Sequence, residues 1–246
     1  MLGITTVKRN LFDAAAHKRV KRVLNKDPFI FHGFNMRKFY SMLGNSNSSF
    51  LDVGCGFGID MSQAVVMGFT DVVGVDIKMY DDWLIAKSSF PDLRHIELTS
   101  SSLPFKDSTF DFVNSQHVLE HCEDDCFLLQ EMHRVLKENG LCVIGVPNSQ
   151  NILTIFKKML GLQNPYLDPT HLREYTLSEI KQKVEAVGFE ILDTNKEGFV
   201  LPIPRLHRLY HFFTTCYFDF IKFNNLLGHN IPYCLLGYNV LVRKSS

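Results

Sequence analysis

The chain has 246 residues, 26 basic and 26 acidic side chains that leave no net charge at neutral pH, and a hydrophobic share of 46%, ample for one α/β domain or a domain with an insertion. Its six cysteines, at 55, 122, 126, 142, 216 and 234, show no paired or framework spacing, so disulfides are not expected and a reducing cytoplasm is the natural setting. The first residues do not read as a signal peptide, and no apolar run approaches the roughly 18 to 20 residues that a spanning helix needs; the expectation is a cytoplasmic protein, soluble or held at a membrane surface.

Residues 1–48 precede the first expected strand. Lys8, Arg9, Lys18, Arg19, Lys21, Arg22 and Lys26 make this arm basic despite the neutral total, and Leu11, Ala15, Val20, Val23 and Leu24 give it a partial helical stripe. It reads as a helical cap on the domain that follows, its charge better explained by a solvated face than by a phosphate-bearing substrate or an anionic membrane. Phe31, Phe34, Phe39 and Tyr40 are candidates to line a substrate mouth, and a loop at 45–49 closes the arm.

Residues 49–246 read as one domain with insertions at about 149–175 and 198–237. Strands are expected near 50–54, 72–76, 93–97, 110–115 and 141–146, with helices near 59–67, 80–88, 123–137 and 177–187. That alternation builds a parallel sheet with helices on both faces, and ligands then bind at the carboxyl ends of its strands. Asn139-Gly140 is expected to end the third helix after Lys137 and turn into the fifth strand.

The stretch from Phe50 to Asp60 carries the chemistry. It reads as strand, tight turn and helix, with Asp52, Gly54, Gly56 and Gly58 in the pattern D-x-G-x-G-x-G. Bare glycine backbone there can approach a ligand closely and aim its amides at it. The dinucleotide fingerprint puts its third glycine one position later, where this chain has Ile59. Asp76 ends the next strand about 20 residues on, the distance at which a carboxylate holds ribose hydroxyls.

Further along, Leu103-Pro-Phe is followed by an acid, by Phe110-Asp, by Val118-Leu-Glu-His121 and by the run from Glu131 to Leu141. With the glycine turn and Asp76, this order resembles the class I S-adenosylmethionine (SAM)-dependent methyltransferases, and most closely their type 11 subgroup, from about 48 to 148 and more loosely from 168 to 192. The resemblance implies a three-layer, Rossmann-like, seven-stranded sheet, mostly parallel, with an antiparallel last strand inserted between the fifth and sixth. The sixth strand would fall at 188–193 and the seventh at 238–243. It further implies that Asp52, Gly54, Gly56 and Gly58 cradle the methionine portion of SAM, that Asp76 holds the ribose, that Ile77 flanks the adenine, and that Gln116 or His117 faces the methyl. Family members usually carry an acid about four residues before the Leu-Pro-Phe; this chain has Thr99 and Ser100 there, which would reach the adenine amino edge by a hydroxyl or backbone contact.

Methyl transfer asks the protein chiefly to hold two reactants in line, and an alcohol acceptor also needs a base. His117 and His171 are the candidates, each with an alternative as a satisfied structural histidine. In the related ubiquinone-biosynthesis O-methyltransferases an acid, a Glu and a His at the spacing of 117, 120 and 121 bind a divalent metal. Here the first of these is His117, and no histidine or cysteine spacing matches a zinc site, so no metal is expected.

A helix is expected near 152–160, and Asp168-Pro-Thr-His-Leu-Arg-Glu-Tyr-Thr176 leads into a helix capped by Thr176 or Ser178. This run resembles methyltransferases of polysaccharide and cell-envelope pathways. Arg173 would bring a permanent cation to the mouth, or simply pair with Glu174 or Glu179. In 198–237, Leu206, Leu209, Tyr210, Phe213, Tyr217, Phe220 and Phe223 recur at helical spacing, with Arg205, Arg208, His211, Asp219 and Lys222 off the stripe. This amphipathic helix is read as a lid or dimer surface, with a membrane-interface helix or a lipid-tail cleft as the alternatives.

The functional expectation is a SAM-dependent methyltransferase acting on a small-molecule, glycan or lipid-linked acceptor, most simply at oxygen. A non-catalytic SAM-binding module on the same fold and an NAD-dependent oxidoreductase are the competing readings. Nucleic acid is not an expected partner, since the chain is neutral and lacks an Asn/Asp-Pro-Pro-Tyr type of loop.

Overall fold

The computed structural model describes residues 48–80, 83–162, 166, 168–199 and 235–245. The basic N-terminal arm, with Phe31, Phe34, Phe39 and Tyr40, and the aromatic stripe of the second insertion lie outside the described residues.

In chain order the elements are β1 (Ser49–Val53), α1 (Ile59–Val66), β2 (Asp71–Asp76), α2 (Trp83–Ser89), β3 (Arg94–Glu97), β4 (Phe110–Gln116), a 3-10 turn (Leu119–His121), α3 (Asp125–Val135), β5 (Leu136–Pro147), α4 (Ile152–Met159), α5 (Leu177–Val187), β6 (Phe189–Phe199) and β7 (Leu235–Lys244). They form one seven-stranded sheet in the order β3-β2-β1-β4-β5-β7-β6. The first five strands pair in parallel, and β7 runs antiparallel to both β5 and β6. The expected topology is therefore the observed one. The order reverses beside β1, between the crossover to β2 and the return to β4, which is where an open α/β sheet leaves a crevice for ligands.

Successive residues of a strand face opposite sides of a sheet, so central strands buried on both faces read as continuous apolar runs. Phe50 packs on one side with Phe69, Phe112, Met61 and Ala64 of α1, and Trp83 and Ala86 of α2. Leu51 and Val53 face the other side with Leu128, Leu129 and Met132 of α3 and Ile180 and Val184 of α5. The Phe50 and Phe112 rings stack at 5.5 Å, with Phe69 edge-on to Phe50 at 5.1 Å. Three layers result.

Two motifs far apart in sequence are locked together by one ion pair. The Glu131 carboxylate accepts from the Leu103 N–H at 2.7 Å and from Arg134 Nε at 2.7 Å, and Arg134 donates to the carbonyls of Leu103 (3.0 Å) and Phe105 (2.8 Å). The Arg134 guanidinium, aided by the Leu103 amide and opposed by burial, holds the Glu131 carboxyl down at about 2. The Leu103-Pro-Phe run and the acid of α3 are thus halves of one clasp that fixes the entry to β4.

Several boundaries differ from expectation. α3 stops at Val135, not Lys137, because Leu136 is fully buried and already pairs with Phe110. Asn139 then takes the left-handed turn at φ 61°, and a Cβ on Gly140 would come within 2.8 Å of the Lys137 carbonyl oxygen. α2 begins at Trp83 rather than at 80. β6 and β7 are longer than the pattern suggested and take up both ends of the expected second insertion. α5 opens with a reciprocal capping box, Thr176 Oγ1 accepting from the Glu179 N–H and the Glu179 carboxylate accepting from the Thr176 N–H.

Candidate functional site

The glycine turn between β1 and α1 hangs from the carboxyl end of β2. The N–H groups of Gly54 and Cys55 both donate to the Val75 carbonyl, at 2.8 and 3.0 Å, and the Gly56 N–H donates to Asp76 Oδ2 at 2.8 Å. What a side chain would meet separates the three glycines. A Cβ on Gly54 would fall 2.2 Å from Val118 Cγ2, and one on Gly58 2.5 Å from the Trp83 ring, whereas one on Gly56 would meet no atom of the described residues within 4 Å. Gly54 and Gly58 are bare because the protein packs against them. Gly56, at φ 48°, is bare with no described residue over it, which is the condition for a backbone cradle.

Three carboxylates gather there. Asp52 on β1 is buried, and Asn114, its neighbour in register on β4, donates through Nδ2 to Asp52 Oδ1 at 2.8 Å and to Asp60 Oδ2 at 2.9 Å. Burial, then the charge of Asp60, pushes the Asp52 carboxyl well above the usual range; Asp76 adds to this and the Asn114 hydrogen bond opposes it. A turn surrounded by three acids suits a ligand that brings positive charge. SAM, with an ammonium, a sulfonium and a ribose, fits: Gly56 and Asp76 would hold the ribose side, and Asp60 and Asp52, through Asn114, the amino-acid side.

Ile77 lies just past β2 with 77% of its surface exposed, and Thr99 and Ser100 are exposed just beyond β3. All three are on the same carboxyl edge, since Asp76 is paired with Glu97 and its carbonyl accepts from the Leu98 N–H at 2.7 Å. Gln116 ends β4, as the strand pattern places it. Its Nε2 donates to Asn114 Oδ1 at 3.1 Å, and its Oε1 is buried against Gly145, where a Cβ would fall 2.1 Å away. It supports Asn114 from two positions along the same strand.

Beyond β4 a second cluster is built from two segments about fifty positions apart. His117 adopts φ 55°, its N–H donates to the Gly145 carbonyl at 3.0 Å, and its Nδ1 lies 3.2 Å from Glu120 Oε1. His171 Nδ1 lies 3.2 Å from Glu174 Oε1, and its Nε2 faces the same Glu120 Oε1 at 3.9 Å. The two candidate bases are therefore brought together across one fully buried carboxylate. The Glu120 carbonyl also accepts from the Leu172 N–H at 2.8 Å, which fixes the two segments to each other.

Arg173 pairs with neither Glu174 nor Glu179. Its NH1 lies 3.2 Å from Asp125 Oδ1, and its NH2 donates to the Glu123 carbonyl at 2.8 Å. Asp125 also accepts from Tyr175 Oη at 2.7 Å and from Lys183 Nζ at 2.9 Å. Burial raises the Asp125 carboxyl, but the Tyr175 and Lys183 hydrogen bonds and the charges of Lys183 and Arg173 outweigh it and leave it below the usual range. The cation thus anchors the 168–176 segment to α3.

Sequence reasoning gave no site role to Asp60, Asn114 or Asp125, and named Glu120 only in the metal spacing it set aside and Glu174 only as a partner for Arg173. Asn114 had a signal: it is the polar residue in the apolar run of β4, in register with Asp52. Asp60 stands two positions past the last motif glycine. The others show only in the folded contacts.

The Methyltransferase domain family profile matches residues 32–194. The chain belongs to that family. Within it, the sheet order and the named relatives place the chain among class I SAM-dependent methyltransferases of the type 11 kind. A protein of Mycolicibacterium smegmatis named "Probable S-adenosylmethionine-dependent methyltransferase" is 32% identical over 58% of this chain and 52% of its own length. A demethylmenaquinone methyltransferase of Staphylococcus aureus is 34% identical over 48% of this chain and 51% of its own. The matches therefore span about half the length of these relatives. Among solved structures, the 1,6-didemethyltoxoflavin-N1-methyltransferase of Burkholderia thailandensis, with its substrate and S-adenosylhomocysteine bound, superposes with a TM-score of 0.58 over 98% of this chain and 89% of that one at 19% identity, a likeness of fold. Among the described residues of this methyltransferase-family chain, no helix is long and apolar enough to cross a membrane.

Proposed function

We propose that the protein transfers a methyl group from SAM to an oxygen of a small-molecule, glycan or lipid-linked acceptor. The observation that carries the reading is Gly56, uncovered by any described residue and tied by its amide to the carboxylate of Asp76. SAM supplies an electrophilic methyl on a sulfonium; the chain supplies the grip and the alignment. Gly54, Gly56 and Gly58 form the floor, Asp76 the ribose contact, and Asp52 and Asp60 the counter-charge, with Ile77, Thr99 and Ser100 along the adenine edge. Gln116 keeps Asn114 in place between the two acids. His117 and His171 stand at the acceptor side, and His117, with 31% of its side chain exposed, is the one placed to take the acceptor proton.

An acceptor with an apolar portion is favoured by the end of α4, where Phe156, Met159, Leu160 and Leu162 are exposed beside Lys157 and Lys158. A lipid-linked acceptor, or peripheral contact with a membrane that carries it, would use such a surface. Incubation of the full chain with radiolabelled SAM and fractionated host extract tests the proposal. Label entering a lipid or sugar pool is the expected result. SAM binding without label in any pool would leave a non-catalytic binding protein, and no SAM binding would remove the cofactor assignment itself.

A further inference from the structure

We propose that the C-terminal end of α4 is a docking surface for an anionic lipid membrane. α4 is built the wrong way round for a helix that packs only on its own domain. Its one buried residue is Thr154, whose Oγ1 donates to Glu174 Oε2 at 3.3 Å, while Phe156, Met159, Leu160 and Leu162 are 59%, 80%, 60% and 50% exposed. Apolar side chains scattered singly over a surface need no account, but four on one helix end do.

The backbone of this end is closed on itself. Gly161, at φ 66°, takes the left-handed turn; its N–H donates to the Lys158 carbonyl at 3.0 Å, and the Leu162 N–H donates to the Lys157 carbonyl at 3.2 Å. This Schellman closure satisfies carbonyls that a frayed end would leave to water, and it turns Leu162 back toward the last helical turn. The apolar tip can therefore leave bulk water without orphaning those groups.

Charge selects the occupant. Lys157 and Lys158 stand within the apolar tip, and no acidic residue occurs between Glu138 and Asp168. Lys157 Nζ donates to the Tyr166 carbonyl at 2.7 Å, and Lys158 Nζ lies 4.5–6 Å class distance over its ring, at 5.7 Å from the centroid. Cations and a tyrosine at the rim of an apolar tip are the composition of elements that sit among headgroups. A second copy fits poorly, since a two-fold contact would lay this surface on itself and set lysine against lysine. The 200–234 segment is no better matched in charge, with Arg205, Arg208 and Lys222 against Asp219 alone. Anionic headgroups answer both lysines, and the acyl region takes the apolar side chains.

The surface adjoins the histidines: Glu174, which holds Thr154, lies 3.2 Å from His171 Nδ1, and the Tyr166 and His171 ring centroids are 6.4 Å apart. Its use in catalysis rests on the proposed methyl transfer, for which docking would bring a lipid-borne acceptor to His117 and His171. Docking itself does not depend on that reading, so the test omits SAM. Full-length chain is pelleted with sucrose-loaded vesicles of phosphatidylcholine mixed with phosphatidylglycerol, and of phosphatidylcholine alone. Partition should be about 20-fold stronger onto the mixed vesicles, since each lysine near an anionic leaflet contributes roughly fivefold, and it should weaken with salt. Met159→Ser with Leu160→Ser should lose about tenfold, and Lys158→Glu a similar amount, with melting temperatures unchanged. Equal partition of the wild type and both variants would overturn the proposal, because binding would then lie elsewhere on the chain; so would no partition at all. It would equally fall if the Met159→Ser, Leu160→Ser protein melted earlier, which would put the tip under another part of the chain, or passed from dimer to monomer in light scattering, which would assign the face to a second copy. S-adenosylhomocysteine affinity on the same samples separates the two readings. Binding kept without partition removes the docking surface alone, and partition kept without binding removes the cofactor assignment alone.

Discussion

The two halves of the site are made differently. The cofactor side is mostly main chain: a short contiguous turn, hung from Val75 and Asp76, with its specificity in what the glycines leave empty. The side proposed for the acceptor is almost all side chain, assembled from the 117–125 and 168–176 segments through Glu120, Asp125 and their partners. A cradle of backbone amides has one solution and leaves a motif. An arrangement of side chains on loops has many, so acceptor chemistry can vary while the cofactor turn stays the same.

That contrast can be broken most violently at Gly54. Replacement by Val would force a Cβ into Val118 and hold a β-branched residue at φ 75°, and the combined overpacking and backbone penalties, about 3–5 kcal/mol, should leave the chain aggregated or unfolded by circular dichroism. Next is Asp76. Asp76→Ala removes the ribose carboxylate and the tie to Gly56 together, and calorimetric SAM affinity should fall by roughly 30-fold or more, about 2 kcal/mol. Asp76→Asn keeps an acceptor for the Gly56 amide, so its smaller loss measures the turn apart from the charge.

The clasp beneath both halves should show in the pH dependence of stability. Glu131 is held at about 2 against an ordinary 4.5; a lowered carboxylate stabilises the fold fully above 4.5 and loses that contribution as pH falls toward 2. Urea midpoints of the wild type should therefore decline from pH 5 to pH 2 more steeply than those of Glu131→Gln, which should be less stable at pH 7 by on the order of 2–3 kcal/mol. Parallel declines would show that the clasp contributes nothing. The smallest effect belongs to the acceptor side: Tyr175→Phe leaves Asp125 one hydrogen bond short, costing about 1–2 kcal/mol, and should expose the 168–176 amides to faster hydrogen exchange without changing SAM affinity.

How much was legible follows the same division. β1, β2 and β4 announce themselves as short apolar runs ending in turn residues, and the glycine turn could be picked out as a candidate because it is one short run, with Asp76 marked by its place at the end of the next strand. The α3–β5 boundary was misplaced because Asn139-Gly140 looks like a helix stop, whereas burial of Leu136 beside Phe110 ends the helix earlier. Arg173 could not be paired correctly from sequence, since its partner Asp125 is reached only when the 168–176 segment folds back on α3. Gln116 reads as facing the methyl from its place at the end of β4; the Nε2 contact to Asn114 Oδ1 is an addition that only the folded strand shows.

Titration of S-adenosylhomocysteine into Gly56→Ala and the wild type, by calorimetry on samples with matched melting curves, tests the central claim most directly. The added methyl meets no atom of the described residues within 4 Å, so stability should drop by only about 1–2 kcal/mol for the left-handed backbone, while affinity should fall at least 100-fold because the methyl occupies the cradle. Equal affinity in the two proteins would mean that no adenosyl ligand lies over this turn.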